Sequence, residues 1–190
     1  MGGSSFMAQA SDAELAALAA ADDPAAFEIL VRRHAPVVRA LLRRMGAQPA
    51  LADDLAQETF VAAFQHVGGF RGQGSFAGWL KQIAARLYVR RWRAEARYTQ
   101  DEPPEGEADT GEIGADLKLD LDRALASLSS AERICVSICS GAGFSHSEAG
   151  ALLKMPDGTV KSHVKRGLEK LRARLAPSDG VVLEGRRGNG

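Results

Sequence analysis

The sequence predicts an all-α protein made of two small helical domains joined by an acidic linker, and three observations carry that expectation. S-x-x-E capping boxes stand at Ser11/Glu14 and Ser145/Glu148, each just ahead of an apolar run. Apolar residues recur at three- and four-residue steps through much of the 190-residue chain. Composition then changes sharply at Tyr98: residues 98–117 hold seven acidic side chains, no basic ones, two prolines and three glycines. Such a stretch has no core of its own. These features divide the chain into an N-terminal extension with a short helix (1–21), a first domain (22–97), the linker (98–117), a second domain (118–176) and a Gly-rich tail (177–190).

Ser11 opens a short Ala/Leu-rich helix from Asp12 to Ala21. Asp23-Pro24 starts the next, with proline at the first helical position, and Phe27, Leu30, Val31, His34, Val38, Leu41 and Leu42 form its apolar stripe. Pro36 interrupts the stripe, and because the period resumes beyond it, a kink is expected rather than a stop. Residues 50–67 follow as a helix. At 100° per residue, Asp54, Gln57, Glu58, Val61 and Gln65 share one narrow arc, opposite Leu55, Thr59, Phe60, Ala63, Phe64 and Val67. No His or Cys joins the carboxylates at ligand spacing, so the arc reads as a surface for a basic partner helix rather than as a catalytic or metal site.

Residues 68–76 hold four glycines together with the aromatics Phe70 and Phe76, but neither a dinucleotide fingerprint nor a Walker loop is present. A loop of this kind brings its backbone close to something flat, with Phe and Arg available to stack, which suits a base extruded from a single strand. The helix from Phe76 to Arg97 turns Trp79, Leu80, Ile83, Ala84 and Leu87 inward. Lys81, Arg86, Arg90, Arg91, Arg93 and Arg97 lie on its other face, with Tyr88 and Trp92 among them. Arginine interleaved with aromatics has the texture of a single-strand-binding surface, and buried tryptophans flanked by solvated arginines share it.

Beyond the linker, residues 117–128 and 131–140 read as helices, and Ser145 to Leu153 as a third. Pro156, Asp157 and Gly158 make an elbow, and a basic helix runs on to Pro177, completing a helix-turn-helix. Val160, Val164, Leu168, Leu171 and Leu175 form its apolar stripe. Thr159, Lys161, Ser162, His163, Lys165, Arg166 and Lys170 lie off it, where a recognition helix meets base edges and phosphates.

Formal charge is zero overall, yet residues 24–97 carry 12 Lys and Arg against 5 Asp and Glu, and residues 118–176 carry 10 against 6. Two cationic bodies are thus offset by acidic flanks, a distribution compatible with nucleic acid. No run of 18 apolar residues exists and the start lacks the order of a secretory signal, so a cytoplasmic protein without membrane insertion is expected. Cys135 and Cys139, four apart in an apolar run, read as core residues. No nucleophile–base pair, metal cluster or cofactor loop emerges, so neither an enzyme, a cofactor nor a small-molecule substrate is expected.

Taken in order, the local sequences resemble the extracytoplasmic-function (ECF) sigma factors of bacterial RNA polymerase over about residues 22–176. Asp53-Asp54-Leu55-Ala56-Gln57-Glu58-Thr59-Phe60 is similar to the family's acidic helix, Phe70 through Ile83-Ala84 to its F-x(5)-F-x-x-W-L-x-x-I-A segment, and Gly158-Thr159-Val160-Lys161-Ser162 to its recognition helix. The resemblance implies a promoter-specificity subunit. Asp53, Asp54, Gln57, Glu58 and Val61 would dock on the clamp helices of the largest polymerase subunit, with a further contact to the flap of the second largest. Phe70, Arg71, Gln73, Ser75, Phe76, Trp79, Lys81, Arg86, Arg90 and Arg91 would capture and melt the minus-ten element. Thr159, Lys161, Ser162, His163, Lys165 and Arg166 would read the minus-thirty-five element, and an anti-sigma factor is an expected partner.

The chain departs from the family pattern at Arg86, where the family commonly has Asn, at Gly150 in place of the usual Ala, at Lys154 in place of the turn glycine, and at His163 in place of Arg. The 20-residue linker, fully extended, spans up to ~70 Å, about two turns of duplex, so one chain can reach both elements. The rival reading is a stand-alone helix-turn-helix regulator. Such a protein usually pairs two half-sites through a dimer interface, and no apolar surface is left over for one.

Overall fold

The computed structural model describes residues 9–70, 72, 74–98 and 116–175. Its elements are α1 (Asp12–Ala20), α2 (Pro24–Met45), α3 (Pro49–His66), a 3-10 turn (Val67–Gly69), α4 (Phe76–Tyr98), α5 (Asp116–Ala126), α6 (Ser130–Val136), a π-helical turn (Ser137–Gly141), α7 (His146–Leu153) and α8 (Asp157–Leu175). No strand occurs among the described residues, and the expected all-α class with two helical halves stands. Most of the acidic linker, residues 99–115, lies outside the described residues.

The starts of the helices follow from the sequence. Ser11 and Glu14 cap α1 reciprocally, and Asp23 accepts from the Ala25 and Ala26 amides at 2.9 and 3.3 Å to start α2 at Pro24. The Ser75 hydroxyl accepts from the Gly78 amide at 3.0 Å at the start of α4. Ser129/Glu132 and Ser145/Glu148 form capping boxes for α6 and α7. α2 runs as one helix through Pro36 and closes on Gly46, whose φ of 115° suits a residue without a side chain.

In the N-terminal half α1 through α4 pack around Leu15, Leu30, Val38, Leu42, Ala63, Leu80 and Val89, all buried. The short first helix is therefore part of this core rather than an appendage: Leu15, Ala16 and Ala19 are buried, and its Asp12 bridges Arg33 and His34 of α2. In the C-terminal half α6 lies against α8, where Gly167 is essential to the close approach. A methyl there would stand 2.7 Å from the Val136 side chain.

The halves are not separate bodies. One continuous core includes residues of α1–α4 together with Ile134, Cys135, Ile138, Phe144, Ala149 and Val160. At the seam, the Arg133 guanidinium donates from Nε to the Arg44 carbonyl at 2.8 Å and from Nη2 to the Arg43 carbonyl at 2.9 Å. It thereby caps the last carbonyls of α2, sharing the Arg43 carbonyl with the Gly46 amide at 3.0 Å and the Arg44 carbonyl with the Ser137 hydroxyl at 3.4 Å. Gly141 faces Leu41, and the Tyr88 hydroxyl donates to the Met45 carbonyl at 2.9 Å beside the same helix end.

Candidate polymerase and nucleic-acid interfaces

The acidic arc of α3 faces outward. Asp53, Asp54, Gln57 and Glu58 are exposed, and Val61 among them is 59% exposed although apolar. Asp53 pairs with Arg39 at 2.6 Å, and Glu58 lies 3.9 Å from Arg90 of α4. Phe64, expected on the inner side, is instead 42% exposed, its ring edge-on to Phe27 at 5.0 Å. An acidic row bordered by two uncovered apolar side chains suits a partner helix that is basic with an apolar stripe.

The Gly-rich loop gathers an aromatic cluster. Phe70 meets Phe76 at 5.1 Å and Trp79 at 5.6 Å between ring centroids, and Phe76 meets Trp79 at 5.3 Å and His34 at 5.5 Å. Phe70 and Trp79 are half-buried. Phe76 is 1% exposed, so its ring is the hub of the cluster and is not presented to a nucleic acid, a correction to its reading as a contact residue. Arg71 and Gln73 lie outside the described residues.

Along α4, Arg86, Arg90 and Arg91 are exposed and Lys81 is half-buried. Tyr88 does not share their surface. It is buried, and burial, partly opposed by Arg133, pushes its phenol up to about 12. Trp92 packs against the core with its indole nitrogen buried. The interleaved aromatics are thus core residues, because the C-terminal half covers a face that a lone amphipathic helix would leave to solvent.

That half also meets the arginines. Arg86 lies over the Phe144 ring at 5.2 Å, and Arg93 Nη1 donates to the Leu152 carbonyl at 3.5 Å. Arg91 pairs within its own helix with Glu95 at 2.8 Å, which raises its pKa.

The helix-turn-helix has the expected elbow. α7 ends on Lys154 in the left-handed region (φ 57°, ψ 43°), where a side chain is strained. Gly150 makes room for the turn, since a methyl there would stand 2.8 Å from the Met155 carbonyl oxygen. Thr159, Lys161, Ser162, Lys165 and Arg166 are exposed on α8 and His163 is half-buried, while Val160, Val164 and Leu171 are buried. Arg166 is 3.2 Å from the His163 ring nitrogen; burial first, and then this guanidinium, lower the imidazole pKa.

Two charged side chains that the sequence reading passed over are buried behind α8. Glu132 takes Lys170 at 2.7 Å and lies 3.8 Å from Arg166, and Arg133 holds the seam. The S-x-x-E spacing of Ser129 and Glu132 was the available signal for Glu132; Arg133, whose partners lie 89 and 90 residues away, had none. Burial pushes the Cys135 thiol up to about 12, with Cys139 adding to the shift, so the cysteines have the character of core residues.

The structure thus has two helical halves, the first with an outward acidic helix and the second with a helix-turn-helix. Residues 30–98 match the Sigma-70 region 2 family and residues 124–173 match Sigma-70, region 4. The chain is 35% identical over 159 residues to the ECF RNA polymerase sigma factor SigE of Mycolicibacterium smegmatis, covering 79% of this chain and 62% of that protein. It is 36% identical to the RNA polymerase sigma factor CarQ of Myxococcus xanthus, covering 79% of this chain and 89% of that protein.

Among solved structures it is similar to the sigma factor RpoE of Bartonella quintana in complex with the anti-sigma factor NepR. There the TM-score is 0.56 at 25% identity, over 80% of this chain and 98% of that one. CnrH in complex with the cytosolic domain of CnrY gives a TM-score of 0.52 at 28% identity, over 85% and 95%. The chain belongs to the ECF sigma factor family. Among the described residues no helix is long and apolar enough to cross a membrane.

Proposed function

We propose that this chain binds core RNA polymerase through the α3 arc, opens promoter DNA with the α4 half and reads an upstream element with α8, itself making and breaking no covalent bond. The observation that carries this reading is the exposure, in one chain of this family, of Asp54, Glu58 and Val61 on one half and of Thr159, Lys161 and Lys165 on the other. On this reading residues 22–97 serve polymerase binding and melting, 98–117 the tether, and 118–176 upstream recognition.

In the closed arrangement Arg86 and Arg93 are engaged by the second half, so promoter opening requires the halves to part. An anti-sigma factor is proposed as a partner because the similar RpoE and CnrH were solved with partners of their own. Run-off transcription with purified core polymerase and a genomic promoter pool tests the function. The wild type is expected to give transcripts above core background, and Asp54→Arg with Glu58→Arg to reduce them at least about tenfold by setting like charge against the basic partner. A wild type that neither associates with core nor yields transcripts overturns the proposal.

A further inference from the structure

α8 presents fewer free cations than its sequence suggests. Lys161, Lys165, Arg166, Lys170, Arg172 and Arg174 all stand on it, but Arg166 and Lys170, four residues apart, converge on the single carboxylate of Glu132. The three groups differ in exposure: the Glu132 side chain is 6% exposed, against 57% for Arg166 and 51% for Lys170. The carboxylate is also anchored from behind. Oε2 accepts from the Ser129 amide at 3.2 Å as well as from Lys170 at 2.7 Å, so its position is set by the α6 capping box.

Close helix packing brings it within reach of α8. At Gly167, one residue past Arg166, a methyl would lie 3.6 Å from Glu132 Cβ and 2.7 Å from Val136. By contrast the other ion pair on α8, Lys165 with Glu169 at 4.0 Å, is exposed on both sides and holds neither partner firmly. Burial alone would raise the Glu132 pKa, but Lys170 and the Ser129 groups outweigh it and hold the carboxyl below the ordinary range, so it is charged at neutral pH.

Resting on the reading of α8 as the upstream-element helix, we propose that Glu132 is a positioning residue for promoter specificity. It withdraws Arg166 and Lys170 from general phosphate binding and fixes the Arg166 guanidinium against His163, in one orientation toward the DNA. Phosphate contacts supply affinity without sequence information, whereas an oriented Arg supplies discrimination. Glu132 therefore trades sequence-independent affinity for selectivity. A purely structural cap and ion pair would change stability and leave both DNA properties alone.

The experiment uses holoenzyme formed from the full chain and core polymerase, binding a promoter fragment and the same fragment with its upstream element scrambled, across a salt series. Glu132→Gln keeps the acceptor for the Ser129 amide and removes the charge. It is expected to steepen the salt dependence by up to about two counterion equivalents, since each phosphate contact adds ~0.9 to the slope. It should also cut the promoter-to-scrambled affinity ratio about tenfold, the scale of one well-placed base contact.

Lys170→Gln, at a half-exposed position, keeps the test decisive should the first variant fold poorly. A lysine already withdrawn leaves slope and ratio unchanged, whereas a slope lower by about one shows a free phosphate contact and overturns the proposal. A folded Glu132→Gln with wild-type slope and ratio overturns it as well. A wild-type holoenzyme that does not distinguish the two fragments refutes instead the reading of α8 on which the proposal rests.

Discussion

Replacing Arg133 by methionine is expected to open the seam between the halves while leaving each half folded. The change keeps much of the side chain's apolar length and deletes the two donors at 2.8 and 2.9 Å from the α2 carbonyls. Each hydrogen bond from a charged group is worth about 1.5–3 kcal/mol, and a cation at a helix C-terminus adds about 0.3–1 kcal/mol. Against this stands the cost of burying the guanidinium, which also lowers its pKa. The Ser137 hydroxyl, 3.4 Å from the Arg44 carbonyl, retains a weak substitute.

The net loss is about 2–4 kcal/mol, or roughly 30- to 700-fold in the equilibrium holding the seam closed. Amide hydrogen exchange resolves it. Exchange at Gly46, Ala47, Ala142 and Phe144, whose amides bond within their own half beside the seam, should accelerate by up to that factor, while core amides such as Ala63 and Val164 should change far less. Unchanged protection at those four amides, or an equal loss throughout both halves, would refute the argument that Arg133 acts on the seam.

The two elbow positions should respond in opposite directions in urea unfolding. Lys154→Gly relieves a left-handed side chain and is expected to stabilise by about 0.5–1 kcal/mol, and Gly150→Ala, driven against the Met155 carbonyl, to destabilise by about 1–3 kcal/mol. Acid should weaken the C-terminal half through Glu132. Because its folded pKa is depressed below the ordinary 4.5, its contribution is fully present above that value and disappears as pH falls through the folded pKa. Thermal melts between pH 3 and 6 should show the loss in the wild type and less of it in Glu132→Gln.

Local chemistry was the legible part of this chain. Ser11/Glu14 and Ser145/Glu148 announced their helices, the elbow was readable from Pro156-Asp157, and the outward arc of Asp54, Gln57, Glu58 and Val61 followed from helical spacing alone. Tyr88 and Trp92 were misplaced because periodicity describes a helix against one core, and α4 is covered from two sides. Phe76 was misread for a related reason: an aromatic beside a Gly-rich loop looks available, yet its ring sits beneath Phe70 and Trp79. Arg133 reaches carbonyls about ninety residues away, and a backbone acceptor leaves no mark in the sequence.

The placement of the two tryptophans gives the molecule a built-in optical asymmetry. Trp79 and Trp92 both stand on α4, and the chain has no others, so intrinsic emission observes α4 and what packs on it while far-ultraviolet dichroism observes every helix. Superposing the two signals through a denaturation curve therefore measures, without a label, how tightly the fate of the recognition half is tied to that of its neighbour.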